Sequence, residues 1–219
     1  MIMFFTFNEM GNAGLHTKGQ TNKNTPPDIS LAIDTLNYFY PLSAGIKEYF
    51  KKHAYPCSFR KGKLLLKAGD VCEHIYFIKK GAVRGFIKDG TKDITTWITA
   101  ENEVVSSISS LDMKEPAQEN MQAIENCEML ALTYSDFQDL YIKFPEFNIV
   151  ARKLLQKYYQ DAERRAFIAR VTKAEKKYRL FLTRYGHLAN RIPLKYIASF
   201  LGITLETLSR VRKKLSVTK

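Results

Sequence analysis

Apolar and polar positions repeat with a different period in each part of the chain. From Ser30 to His53, Leu31, Ile33, Leu36, Tyr38 and Phe39, then Leu42, Ile46, Tyr49 and Phe50, fall at helical spacing. They predict two short helices broken around Pro41, which has no amide to donate. Between Tyr55 and Tyr134 the texture changes to short runs bounded by turn formers: CSF, KLLLKAG, HIYFIKKG, AVRGFIKDG, DITTWITA, ENEVV, MQAIENC and EMLALTY. Gly62, Gly69, Gly81 and Gly90 stand at the junctions, and Lys88-Asp89-Gly90 marks a hairpin. So many short strands at such spacing predict an antiparallel jelly roll or related barrel and exclude a helical bundle here.

Helical periodicity then returns. Ser135 reads as the N-cap of a short helix carrying Phe137, Leu140 and Tyr141. After Pro145 the longest unbroken pattern runs to about Val171, with Phe147, Ala151, Leu154, Tyr158, Ala162, Arg165 and Ala169 at spacings of 4, 3, 4, 4, 3 and 4. That is a narrow seam of the coiled-coil kind. Leu154, Tyr158 and Ala162 at its middle are expected to join two subunits, packing on the roll being the alternative. Thr172 is expected to cap a further helix, Lys173 to Gly186, buried through Tyr178, Leu180, Phe181 and Leu182. The expected class is α+β: a poorly ordered tail over 1–29, a jelly-roll sensor with flanking helices over 30–144, a dimerisation helix over 145–171, and a small all-helical domain over 172–219.

Near the end lies YIASFLGITLETLSRVRKKL, Tyr196 to Leu215. Ile197, Leu201, Ile203, Leu208 and Val211 are the apolar positions of two helices meeting across a short turn, and Ala198 is small where they cross. Gly202 stands where the chain must reverse in a left-handed conformation, and Thr204 is placed to cap the second helix. This is a helix-turn-helix pattern. With Leu208, Val211 and Leu215 inward, helical spacing turns Glu206, Ser209, Arg210 and Lys213 to solvent. The planar fork of Arg210 suits guanine O6 and N7, and Glu206 can accept from cytosine N4. Arg212, Lys213 and Lys214 suit phosphates.

Charge strengthens this expectation. The whole chain of 219 residues carries a net +12, yet residues 152–219 alone hold 18 Lys+Arg against 4 Asp+Glu, a net +14. Such segregation points to a polyanionic partner, with double-stranded DNA foremost. Other chemistry finds little support. Cys57, Cys72 and Cys127 lie far apart with no CxxC pair, suggesting buried thiols rather than a disulfide framework or zinc ribbon. His16, His53, His74 and His187 lack the His-x-His spacing that a cupin-like metalloenzyme needs, so neither a metal site nor a catalytic group is expected. The opening MIMFFTF has no basic flank and falls short of the roughly 18 apolar residues of a spanning helix. A cytoplasmic protein without membrane attachment is expected.

A jelly roll, a long connecting helix and a helix-turn-helix in this order resemble the Crp/Fnr family of bacterial transcription regulators, over about Pro41 to Leu215. The stretches IYFIKKGAVRGFI and YIASFLGITLETLSRVRKKL carry the resemblance, and Glu206 and Arg210 fall where that family places its base-contacting glutamate and arginine. The resemblance implies a homodimer through the long helix, DNA and RNA polymerase as partners, and an effector at the roll that re-aims the DNA-binding domains. Members that bind cyclic AMP carry a Gly-Glu-Leu segment and an Arg-Ser pair. This chain has Ser106-Ser107-Ile108 and Ala117-Gln118 there. A phosphate buried without its arginine lacks the pairing that offsets desolvation, so cyclic AMP is not expected to bind in the usual way. An iron–sulfur cluster is not expected either, since no cysteine precedes Cys57. The effector is unknown; a rearranged nucleotide pocket would use Ser106, Ser107, Ser109 and Ser110, and Gln118 is a further candidate. The usual β-hairpin wing is expected to be missing, and Leu205 replaces a frequent DNA-contacting arginine, so fewer phosphate contacts are expected. The alternative function is a ligand-binding regulator acting through nucleotide or protein partners, with weak or lost DNA binding.

Overall fold

The computed structural model describes residues 20–21 and 26–217. Two helices, α1 (Ser30–Phe39) and α2 (Ala44–His53), flank Pro41, and the Ser43 hydroxyl caps the second by accepting from the Ile46 amide. The strands follow as β2 (Tyr55–Phe59), β3 (Leu64–Leu66), β4 (His74–Lys80), β5 (Val83–Asp89), β6 (Lys92–Thr99), β7 (Val104–Val105), β8 (Asn120–Ala123) and β9 (Cys127–Thr133). They form two antiparallel sheets, one in the order β2-β9-β4-β7 and the other β3-β8-β5-β6. A two-residue strand β1, Gln20–Thr21, pairs with Ser58 and Cys57 at the edge of the first sheet. These two residues belong to the stretch expected to be a poorly ordered tail. The rest of that tail lies outside the described residues except 26–29.

Between the sheets, Ile78, Val83, Met121, Met129 and Ala131 are almost wholly buried, each from the inward side of its strand. The alternation of strand side chains makes this possible, and burying a large aliphatic side chain contributes about 1.5–3 kcal/mol. A second core joins α1 and α2 to the roll and to the start of the long helix through Ile46, Leu140, Phe147 and Val150. At Gly85 a Cβ would sit 2.2 Å from the Trp97 indole, so only glycine lets that ring lie across β5. Strand β6 carries an extra residue at the same place: Gly85 pairs with Trp97 and Phe86 with Thr95, leaving Thr96 over.

Three further local findings differ from the sequence reading. The short helix α3 (Ile108–Met113) follows β7 where no helix is expected. The cap of α4 (Tyr134–Lys143) is Thr133, whose hydroxyl accepts from the Asp136 amide, rather than Ser135. Lys173, extended at φ −79° and ψ 116°, is the N-cap of α6 (Ala174–Tyr185), and it makes no side-chain cap bond. Thr172 is therefore one residue too early to reach the first free amides, and Glu175 supplies negative charge to the first turn instead.

The long helix α5 (Phe147–Arg170) leaves the roll after Pro145, and α6 turns back from it. A 3-10 turn (Gly186–Leu188), α7 (Leu194–Leu201) and α8 (Leu205–Val217) complete a helical unit around Phe181, Leu188, Ile197, Leu201 and Leu208, all at most 1% exposed. Its core extends onto the outer face of the roll, taking in Ala82, Ile98, Ala100 and Ile124. No helix among the described residues is long and apolar enough to cross a membrane.

Candidate nucleic-acid interface and sensor cavity

Helix α7 ends at Gly202, whose φ of 61° and ψ of 42° are left-handed. Its amide bonds to the Ser199 carbonyl at 3.0 Å, and the Ile203 amide reaches back to Ala198, also at 3.0 Å. The Leu201 carbonyl, freed by the helix end, accepts from the buried Lys177 ammonium at 2.7 Å. Thr204 then accepts from the Thr207 amide at 3.1 Å, satisfying one free donor of α8. Leu208 packs inward with 0% exposure, while Thr204, Glu206, Ser209, Arg210 and Lys213 are exposed. The Ser209 hydroxyl bonds to the Leu205 carbonyl within its own helix. Lys214 is 72% exposed beside Glu175, at 2.8 Å.

Arg212 departs from the expected phosphate contact. It is half-buried and its two terminal nitrogens donate to the Ala189 carbonyl and the Asn190 side chain, each at 3.0 Å. It closes the turn before α7, a role that helical spacing alone does not reveal.

The helical unit is held on the roll by a polar face of its own. The Ser199 hydroxyl accepts from the Thr95 amide at 2.9 Å and donates to the Asp93 carbonyl at 3.0 Å, completing the irregular stretch of β6. Arg84, 2% exposed, lies between the Phe86 and Tyr196 rings at 4.0 and 4.1 Å and pairs with Asp93 at 2.8 Å. Arg191 forks between Glu101 at 2.8 Å and Glu125 at 2.7 Å. Arg184 reaches Asp161 of α5 at 3.3 Å and Glu103 at 3.6 Å.

The Arg191 fork has a pH consequence. Hydrogen bonds from Arg191 hold the Glu101 carboxyl down at about 2, from an ordinary value of 4.5, and the Gly81 amide adds to this. A group depressed on folding stabilises fully above its ordinary value and loses that contribution as pH falls through the folded one. Between pH 4.5 and about 2, stability from this contact should therefore fall. Allowing for solvent screening of the partly exposed Arg191, the expected loss is about 1–2 kcal/mol. Urea unfolding at pH 5 and pH 3 measures it, and Arg191→Met should flatten the difference; an undiminished difference would assign the acid sensitivity elsewhere.

A cavity of about 870 Å³ lies where the roll, α5 and the helical unit meet. Of the expected effector residues only Ser106 lines it. Ser107 is buried and bonds to Glu119, whereas Ser109 and Gln118 face solvent. The serine cluster therefore does not converge on one pocket: α3 turns Ser109 outward, and Ser110 is used internally, accepting from the Cys72 amide and donating to the Glu115 carbonyl. Next to Ala117-Gln118, where an arginine would meet a phosphate, Glu119 instead accepts from the Trp97 indole at 2.8 Å. Burial pushes its carboxyl up. Tyr158, expected between subunits, is engaged within its own chain, its hydroxyl accepting from the Val104 amide at 2.9 Å and donating to Glu103 at 3.2 Å. Cys57, Cys72 and Cys127 are buried free thiols pushed up by desolvation. No cluster of metal-ligating side chains occurs among the described residues.

Residues 56–144 match the cyclic nucleotide-binding domain. The chain is 24% identical over 164 residues to the transcriptional activator protein FnrA of Stutzerimonas stutzeri, an alignment covering 69% of this chain and 66%, just under two thirds, of that relative. Among solved structures, FixK2 from Bradyrhizobium japonicum superposes with a TM-score of 0.63 at 20% identity, over 75% of this chain and 85% of that one. A mutant of CooA from Carboxydothermus hydrogenoformans gives 0.65 at 17% identity, over 89% and 87%. The fold therefore joins an antiparallel roll of the cyclic nucleotide-binding type to a long helix and a helix-turn-helix. Residues 56–144 carry the cyclic nucleotide-binding domain, and the chain as a whole is similar to FnrA, FixK2 and CooA.

Proposed function

We propose that the protein is a dimeric, sequence-specific DNA-binding regulator of transcription whose roll senses a small molecule. One observation carries the reading: a capped helix, α8, presents Glu206, Ser209, Arg210 and Lys213 to solvent from a segment of net charge +14. Such a helix fits the major groove, with base edges met by its first turns and phosphates by its lysines. RNA polymerase, by family resemblance, is the further partner, and the cytoplasm the place of action. Cyclic AMP held in the usual way is disfavoured by Glu119, an acid beside the position of the missing arginine. Selection from a random DNA pool tests the reading. A palindrome with half-sites about 34–36 Å apart is expected, and an unenriched pool would sink it.

Dimerisation is proposed through α5, on a face turned slightly from the expected seam. Tyr158 is half-buried against the chain's own roll and Leu154 faces the cavity, while Leu155 and Tyr159, 52% and 67% exposed, continue with Ala162 as an uncovered stripe along the cavity's rim. Leu155→Glu combined with Tyr159→Glu would place like charges in a desolvated contact, costing several kcal/mol. Sedimentation should then show monomers, and a persisting dimer would move the interface elsewhere.

A further inference from the structure

Trp97, Val105 and Leu111 of the roll form one wall of the cavity, and Leu154 of α5 forms another. At about 870 Å³ it lies within the usual range for a small-molecule site. Of its charged groups, Glu103, Asp161 and Arg184 are bound to one another and to Lys157, and so neutralise each other. Among its other acids, Glu101 pairs with Arg191, and the exposed Asp112 accepts from the Tyr134 hydroxyl. Arg165, which also lines the cavity, forms no ion pair among the described residues. Its guanidinium meets the Tyr185 hydroxyl, and the acid whose charge it senses, Glu119, is already bonded to Trp97 and Ser107. Arg165 is thus the one arginine of a largely apolar lining without an ion pair among the described residues, which favours an apolar body with a single negative charge placed against it.

We propose that this cavity binds a compact apolar molecule carrying one anionic group, a fatty or aromatic acid in class, with Arg165 as its charge partner. The inference deepens the reading of the roll as a sensor and rests on it. Because Arg184, Tyr185 and Leu188 of the helical unit also line the cavity, such a ligand touches the sensor and the DNA-binding unit together.

The probes are 8-anilinonaphthalene-1-sulfonate and, as competitors, decanoate, 1-decanol and cyclic AMP. Trp97 is the only tryptophan in the chain, so its emission reports occupancy directly. The sulfonate should saturate a single site and quench Trp97. Decanoate should displace it at least about tenfold more effectively than 1-decanol, a ratio worth about 1.4 kcal/mol, and cyclic AMP should not displace it. Arg165→Gln should erase the decanoate advantage, while Leu154→Phe, which narrows the chamber, should weaken both competitors alike. Equal displacement by acid and alcohol, an advantage that survives Arg165→Gln, or displacement by cyclic AMP alone would overturn the proposal. None of these measurements needs DNA. Saturable acid binding that leaves DNA affinity unchanged would uphold the site and defeat the sensor reading; a protein whose DNA binding is regulated but whose cavity takes no acid would defeat this inference alone.

Discussion

Arg210→Ala should cost about 1–3 kcal/mol at one symmetric position of each half-site and relax the base preference there. The argument is geometric. Leu208 fixes the inward face of α8, and Thr204 and Gly202 fix where the helix begins, so Arg210 is held outward on a short, rigid element. Lys213 shares that exposed surface but offers a point charge rather than a fork. Lys213→Ala should weaken all sequences alike and flatten the salt dependence by about one unit of slope, the signature of one neutralised phosphate. Arg212→Ala should act differently again, loosening the turn at Ala189 and Asn190 and lowering stability more than it changes base preference. Binding-site selection with each variant, alongside salt titrations, separates the three. An Arg210→Ala preference indistinguishable from wild type would show that α8 does not read bases.

Phe181→Ala should have the largest effect on stability, about 3–5 kcal/mol, as expected for a fully buried ring removed from a packed core. Phe181 has 0% exposure and meets Tyr185 at 5.3 Å, Phe200 at 5.8 Å and Tyr178 at 6.2 Å between ring centroids. The helical unit is small, so a loss of that size should unfold it near ambient temperature and abolish DNA binding. The cores between the sheets and beneath α1 and α2 share none of these residues, and the roll should persist. Calorimetry is expected to show the roll's transition remaining after the helical one has gone. A single cooperative loss of both would mean that the outer face of the roll, through Ile98 and Ala100, depends on the helical unit for its own folding.

Much of this architecture was legible because its signals are local. The turn of the helix-turn-helix needs a left-handed residue followed by a capping hydroxyl, and Gly202-Ile203-Thr204 states both within three residues. The strands announced themselves through glycines at their ends. What escaped the reading was set by partners distant in sequence or by a choice between near-equal neighbours. Thr133 and Ser135 both carry a capping hydroxyl, and only the extended backbone at Thr133 decides between them. Helical spacing places Tyr158 on an apolar seam, but the amide of Val104 claims its hydroxyl. Arg84 reads as an ordinary strand arginine until Tyr196, far along the chain, closes over it. Likewise the serines at 106–110 look like one polar cluster in sequence, and the short helix α3 divides them between solvent, the cavity and the roll's interior.

The bond between Ser199 and strand β6 bears on how such proteins can be recombined. A strand normally finds its hydrogen-bond partners within its own sheet, yet here the Thr95 amide and the Asp93 carbonyl are completed by a hydroxyl from the other unit, with Tyr196 stacked on the arginine alongside. A chimaera joining this roll to a relative's DNA-binding segment would inherit an unfinished strand unless the donor brought a serine and an aromatic ring at the same two places on the first helix of its helix-turn-helix. The two units are separate in sequence but matched in chemistry, and substitutions at Asp93, Thr95, Tyr196 and Ser199 are expected to be inherited as a set.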